Sequence, residues 1–107
     1  MKEAALVQSI RMFIKTTYKK AILRKLADSH TRGLPDLQVI WVNSHGTLNV
    51  LEIETKTKRG VLSKLQEHEA ATTTSLGETA TRGRLVSMVA RDLGAVQVRM
   101  QIMEALP

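Results

Sequence analysis

The sequence predicts a single mixed α/β domain, and three observations predict it. Residues 2–17 carry apolar side chains at helical spacing, two runs rich in Val, Ile, Leu and Trp flank a turn-forming pentapeptide, and a further helix signal follows them. The 107 residues have room for one core, so the domain is expected to span 1–107. One Trp, one Tyr and one Phe make that core aliphatic.

In residues 2–17, Glu3, Val7, Ile10 and Ile14 fall at i, i+4, i+7 and i+11 and share a helix face. Ala4, Leu6 and Phe13 widen the apolar side, while Lys2, Gln8, Arg11 and Lys15 can be solvated. Residues 21–26 read as a short strand and 28–33 as a polar loop. Leu34-Pro35 leads into a strand at Asp36, where a proline removes no ladder hydrogen bond.

Residues 36–42 and 48–56 read as strands, joined by Asn43-Ser44-His45-Gly46-Thr47 into an antiparallel hairpin. A five-residue loop centred on His45 sets Val42 opposite Leu48, Ile40 opposite Val50, Gln38 opposite Glu52 and Asp36 opposite Glu54. That face is apolar near the turn and acidic at its far end. Leu37, Val39, Trp41, Leu51 and Ile53 make the other face apolar, and a slip of one residue would mix the two.

Lys58-Arg59-Gly60 reads as a turn. Ser63 is an N-cap with Gln66 at the capping-box position, for a helix running to about residue 71. The Thr-rich stretch 72–83 reads as a mobile loop or a poorly formed helix, 84–93 as a helix stopped by Gly94, 95–100 as a last strand and 101–106 as a short final helix.

Cysteine is absent, which excludes disulfides and thiolate zinc sites and fits a cytoplasmic protein. No apolar run approaches the roughly 20 residues of a membrane span, and the start of the chain is unlike a secretory signal, so no membrane partner is expected. Sixteen Lys and Arg against ten Asp and Glu leave a net charge of +6. That favours a polyanion, first of all nucleic acid; a soluble basic protein without such a partner is the alternative.

The hairpin register makes Asp36 and Glu54 cross-strand neighbours, their Cβ atoms about 5 Å apart. Adjacent carboxylates repel unless a cation stands between them, and a hard divalent ion such as Mg²⁺ suits carboxylate oxygen. Lys56 lies on the same face, two residues past Glu54. These parts suit phosphodiester hydrolysis, with an ammonium to stabilise charge on the phosphorus. Taken alone, Glu54-Thr55-Lys56 fits a solvated, salt-bridged strand end better than a catalytic site.

The ordered set of Gly33-Leu34-Pro35-Asp36, Glu54-Thr55-Lys56 and then Gly60, Leu62, Ser63 and Gln66 resembles the VRR-NUC family, a branch of the PD-(D/E)XK nuclease superfamily. The resemblance covers residues 3–66 and, more loosely, 94–106. It implies a PD-(D/E)XK nuclease-like α/β domain whose mixed central sheet is flanked by helices. It also implies Asp36, Glu54 and the Thr55 carbonyl as ligands of Mg²⁺ or Mn²⁺, and Lys56 as the catalytic lysine. Glu3 would be the acidic residue of the first helix, and Gln66 the glutamine facing the site, with its capping role as the alternative. Two features depart from the family. Glu52 adds an acid that either supports a second metal or pairs with Gln38 or a basic neighbour, and 72–83 is longer than expected.

Lys25, His30 and Arg32 before Asp36, and Lys58, Arg59 and Lys64 after Lys56, are the expected DNA contacts; a solvated turn is the alternative for the last three. His45 and His68 read as surface residues. The resemblance implies a phage-type endonuclease working in a bacterial cytoplasm on branched DNA, similar to Holliday-junction resolvases and hence a homodimer. The first helix and residues 85–88 are the candidate dimer surfaces. The rivals are a flap, nicking or general nuclease of the same fold, and a non-catalytic nucleic-acid-binding protein.

Overall fold

The computed structural model describes residues 2–26 and 33–107. Helix α1 (Glu3–Thr17) buries Leu6, Ile10 and Ile14, one helical turn apart, and ends where the Tyr18 amide bonds the Ile14 carbonyl at 2.8 Å. Strand β1 (Ile22–Lys25) pairs antiparallel with β2 (Leu37–Val42), and β2 with β3 (Leu48–Thr55). The hairpin register is the one the alternation predicts: Val42 opposite Leu48, Ile40 opposite Val50, Gln38 opposite Glu52.

The turn holds that register. Asn43 Oδ1 accepts the amides of His45 and Thr47 at 2.9 and 3.0 Å, and Gly46 takes the positive φ of 78° that the turn requires. The other end of the Asn43 amide donates to the Met103 and Leu106 carbonyls, tying the turn to the C-terminal helix.

Three segments correct the sequence reading. Residues 72–79 belong to helix α2 (Lys64–Thr79), which continues eight residues past the expected end at residue 71. Thr73 hydroxyl bonds Glu52 on the sheet and Gly77 lets the helix backbone approach β4 closely, so packing outweighs threonine's weak helix propensity. Residues 84–90 form strand β4 (Arg84–Ala90), not a helix, and β4 runs parallel to β3. Two parallel neighbours need a crossover, which α2 provides. Gly94 is no helix stop: it lies in the first turn of α3 (Leu93–Ala105), whose N-cap Asp92 accepts the Ala95 amide at 2.8 Å. The expected strand over 95–100 is therefore helix, continuous with the helix expected over 101–106.

The sheet order is β1-β2-β3-β4. Helices α1 and α3 lie together against the face formed by Leu37, Val39, Trp41, Leu51 and Ile53, closing the core with Val96, Met100 and Met103. Helix α2 lies on the opposite face, over β4. The acidic end of the β2–β3 face is left beside α2, and the site forms there. Among the described residues, no helix is long and apolar enough to cross a membrane.

Candidate active site

Asp36 stands one residue before β2, where the hairpin register continued would set it against Glu54. Its carboxylate turns to the end of β3: Oδ2 accepts the Thr55 amide at 2.8 Å and the Thr55 hydroxyl at 2.6 Å. Both bonds use one oxygen, so the pairing that fixes Asp36 leaves Oδ1 outside it. Glu54 is 9% exposed. Its carboxyl is pushed up from 4.5 to about 7, first by burial and then by the charge of Asp36, with Lys56 acting against the rise and Glu3 adding to it.

Lys56 extends from the residue after β3, its Nζ 4.0 Å from Glu54 Oε1, while its amide bonds the Ala90 carbonyl at 3.0 Å. Gln66 reaches in from the first turn of α2 and donates from Nε2 to Glu54 Oε1 at 2.9 Å. The same side chain completes the capping box: its Oε1 accepts the Ser63 amide and its own amide donates to Ser63 Oγ. The capping and site-facing readings of Gln66 are therefore both present. Glu52, next along the face, accepts from Gln38 Nε2 at 3.3 Å and from the Thr73 hydroxyl at 2.9 Å. It is thus paired with Gln38, one of the two readings left open by the sequence.

The other expected residues lie around this centre. Glu3 is exposed in the first turn of α1, near enough for its charge to act on Glu54. Among the described residues no three acids or histidines gather as a metal cluster; Asp36 and Glu54 are the two carboxylates that meet here. Carboxylate oxygen is the donor type Mg²⁺ takes, and a cation here would offset both the burial of Glu54 and the charge of Asp36 beside it.

Lys25 pairs with Leu37, on the α1 side of the sheet, whereas Arg24 pairs with Gln38 on the carboxylate face. Lys58, Arg59 and Lys64 are exposed beyond Lys56. His30 and Arg32 lie outside the described residues. His45 and His68 are exposed, as expected of surface residues. One functional neighbour was missed: Arg91, in the β4–α3 connection, donates from Nη1 to the Thr57 and Gly60 carbonyls at 2.6 Å each and pins the turn after Lys56. No local motif announces such a contact, since its partners lie more than thirty residues away.

A solved structure described as a VRR_NUC domain superposes on this chain with a TM-score of 0.60 at 18% identity, covering 88% of this chain and 92% of that one. The chain has the VRR_NUC fold. No family model matches its sequence, and no curated protein does. At this identity the shared feature is the VRR_NUC architecture, a mixed four-stranded sheet flanked by helices. Within that architecture Asp36, Glu54, Lys56 and Gln66 meet where β2 begins and β3 ends.

Proposed function

We propose that this chain is a divalent-metal-dependent DNA endonuclease of the VRR-NUC type, acting on branched DNA as a homodimer. The observation that carries the reading is the convergence on Glu54: a buried carboxyl with Asp36, Lys56 and Gln66 around it, in the VRR_NUC fold. A merely structural strand end would gain nothing from a buried acid whose ionisation its own neighbour opposes.

Asp36 and Glu54, with the Thr55 carbonyl, would hold Mg²⁺ or Mn²⁺, and Glu3 would add negative potential. A cation bound there supplies Lewis-acid charge to a phosphodiester. Thr55 fixes Asp36 through two hydrogen bonds, and Gln66 fixes one oxygen of Glu54, so both carboxylates are oriented before substrate arrives. The Lys56 ammonium stabilises negative charge developing on the phosphoryl oxygens. Lys58, Arg59 and Lys64 neutralise flanking phosphates, giving affinity that falls with salt and depends little on sequence.

The test is cleavage of labelled four-way junction, flap and linear duplex DNA with Mg²⁺ or Mn²⁺, and with EDTA. Metal-dependent cutting of junctions ahead of duplex supports the full reading. Equal cutting of all three supports a general nuclease of this fold. Tight binding without cutting in any metal identifies a non-catalytic DNA-binding protein.

A further inference from the structure

We propose that the turn after Lys56 is a rigid, cation-flanked wedge whose tip, Val61, inserts beside an unstacked base where a DNA duplex is interrupted. The inference rests on the nuclease reading for its partner and deepens it to a basis for substrate choice.

Val61 is 80% exposed, more than any other large apolar side chain among the described residues. Leu65, four residues on in the first turn of α2, is 51% exposed. Single exposed apolar residues are ordinary on protein surfaces. This pair stands instead within a run of cations: Lys58 and Arg59 precede it, Lys64 lies inside it, and all three are exposed. Cations that meet phosphates around an apolar tip that meets a base face are complementary to a nucleic acid.

The turn is also held before any partner arrives. Arg91 Nη1 bonds the Thr57 and Gly60 carbonyls, and the Gly60 amide bonds the Thr57 carbonyl at 3.1 Å. The Lys56 amide is tied to Ala90, and the Ser63–Gln66 capping box fixes the chain just past Val61. A tip anchored on both sides loses little freedom on binding, so more of its burial appears as affinity. Inserting an apolar side chain costs the unstacking of a base step, and that cost is least where bases are already unstacked. The wedge therefore favours branch points over continuous duplex, and it lies five residues from Lys56. Arg91 is its positioning residue.

The experiment places 2-aminopurine at the branch of a four-way junction and at the centre of a continuous duplex, with fluorescence and affinity measured in EDTA. Wild type is expected to raise the fluorescence at the branch several-fold and to leave the duplex signal unchanged. Val61→Gly removes the rise and lowers junction affinity by about tenfold, the factor that burying most of a valine side chain supplies, without weakening duplex binding. Val61→Leu keeps both, and Arg91→Gln diminishes the rise with the surface of the turn unaltered. Thermal melting verifies that each variant is folded. A wild-type protein that gives no rise, or a rise that survives Val61→Gly, overturns the wedge; cleavage in Mg²⁺ alongside that result leaves the nuclease reading intact. A Val61-dependent rise with no cleavage in Mg²⁺ or Mn²⁺ overturns the nuclease reading and upholds the wedge.

Discussion

Gln66 Nε2 donates to Glu54 Oε1 at 2.9 Å while the same side chain accepts the Ser63 amide, so one residue both starts α2 and orients a carboxylate of the site. The two roles can be separated. Ser63→Ala and Gln66→Ala each break the capping box and are expected to lower stability similarly, by about 1 kcal/mol. Only Gln66→Ala removes a hydrogen bond to Glu54. A bond of that kind is worth about 1.5–3 kcal/mol, so cleavage should fall roughly 10- to 100-fold in Gln66→Ala and stay near wild type in Ser63→Ala. Melting curves and single-turnover rates for both variants make the comparison, and equal rates would reduce Gln66 to a capping residue.

The pH dependence follows from Glu54. Its carboxyl is raised from 4.5 to about 7 by burial first and by Asp36 second. The folded protein therefore holds this proton more tightly than the unfolded chain. The resulting stabilisation is complete below the unfolded value and is lost as pH rises through about 7. In metal-free protein, Glu54→Gln is expected to gain stability over wild type as pH rises across that window. The gain is at most about 3 kcal/mol, and less where water screens the carboxyl. Activity at subsaturating metal should move the other way, rising through the same window, because Glu54 must ionise before it can hold a cation. A difference in Tm that stays flat with pH contradicts the assignment.

Asp36→Asn, Glu54→Gln and Lys56→Ala are expected to leave the fold intact and to abolish or severely reduce cleavage. Asparagine can keep both Thr55 bonds, because both go to a single Asp36 oxygen. Removing the Lys56 charge should cost about 10²–10³-fold, as loss of one group stabilising a developing anion does. Wild-type rates in a folded variant of any of the three would remove it from the active site.

The sequence was most legible where one face of an element is buried and the other is not. The hairpin alternates, so its sequence alone carries the register that brings Asp36 toward Glu54, and the capping box marks the start of α2. β4 gave no such signal. Its Val86 and Met88 face the core while Leu85 lies against Gly77 of α2, so Leu85-Val86-Ser87-Met88-Val89 is apolar on both sides and period two disappears. Misreading β4 then turned Gly94 into a helix stop, although Asp92 three residues before Ala95 was an N-cap signal. The threonines of α2 read as a loop or a poorly formed helix because their helical state depends on contact with the sheet, as Thr73 shows through Glu52. Arg91 was invisible for the same reason.

That contact between α2 and β4 makes Gly77 sensitive. A Cβ at this position would lie 2.2 Å from the Leu85 carbonyl oxygen, a backbone atom in a paired strand that cannot yield. Alanine is the better helix former by about 1 kcal/mol, yet Gly77→Ala is expected to destabilise by about 1–3 kcal/mol because α2 must lift from the sheet. Since α2 carries Gln66, cleavage should weaken too. A variant with unchanged or higher Tm would show that α2 does not approach β4 so closely.

The homodimer is the prediction that reaches furthest from a single chain. A four-way junction has near-two-fold symmetry, and a C2 dimer presents two equivalent sites to opposed strands. Residues 85–88 lie within β4 between α2 and α3, so they offer less free surface than the sequence led one to expect. On α1, Met12 is exposed; on α3, beside the edge strand β4, Val98 and Ile102 stand one helical turn apart at 56% and 46% exposure. An apolar pair next to a sheet edge is a surface that a second copy would cover in an isologous contact. Light scattering at micromolar concentration is expected to give twice the monomer mass, and Val98→Glu with Ile102→Glu to return it to the monomer. The double variant should lose paired cuts in a junction while still nicking single strands, since Asp36, Glu54 and Lys56 all lie within one chain. A wild-type monomer that resolves junctions with paired cuts would exclude the symmetric assembly and leave the chemistry of the site unchanged.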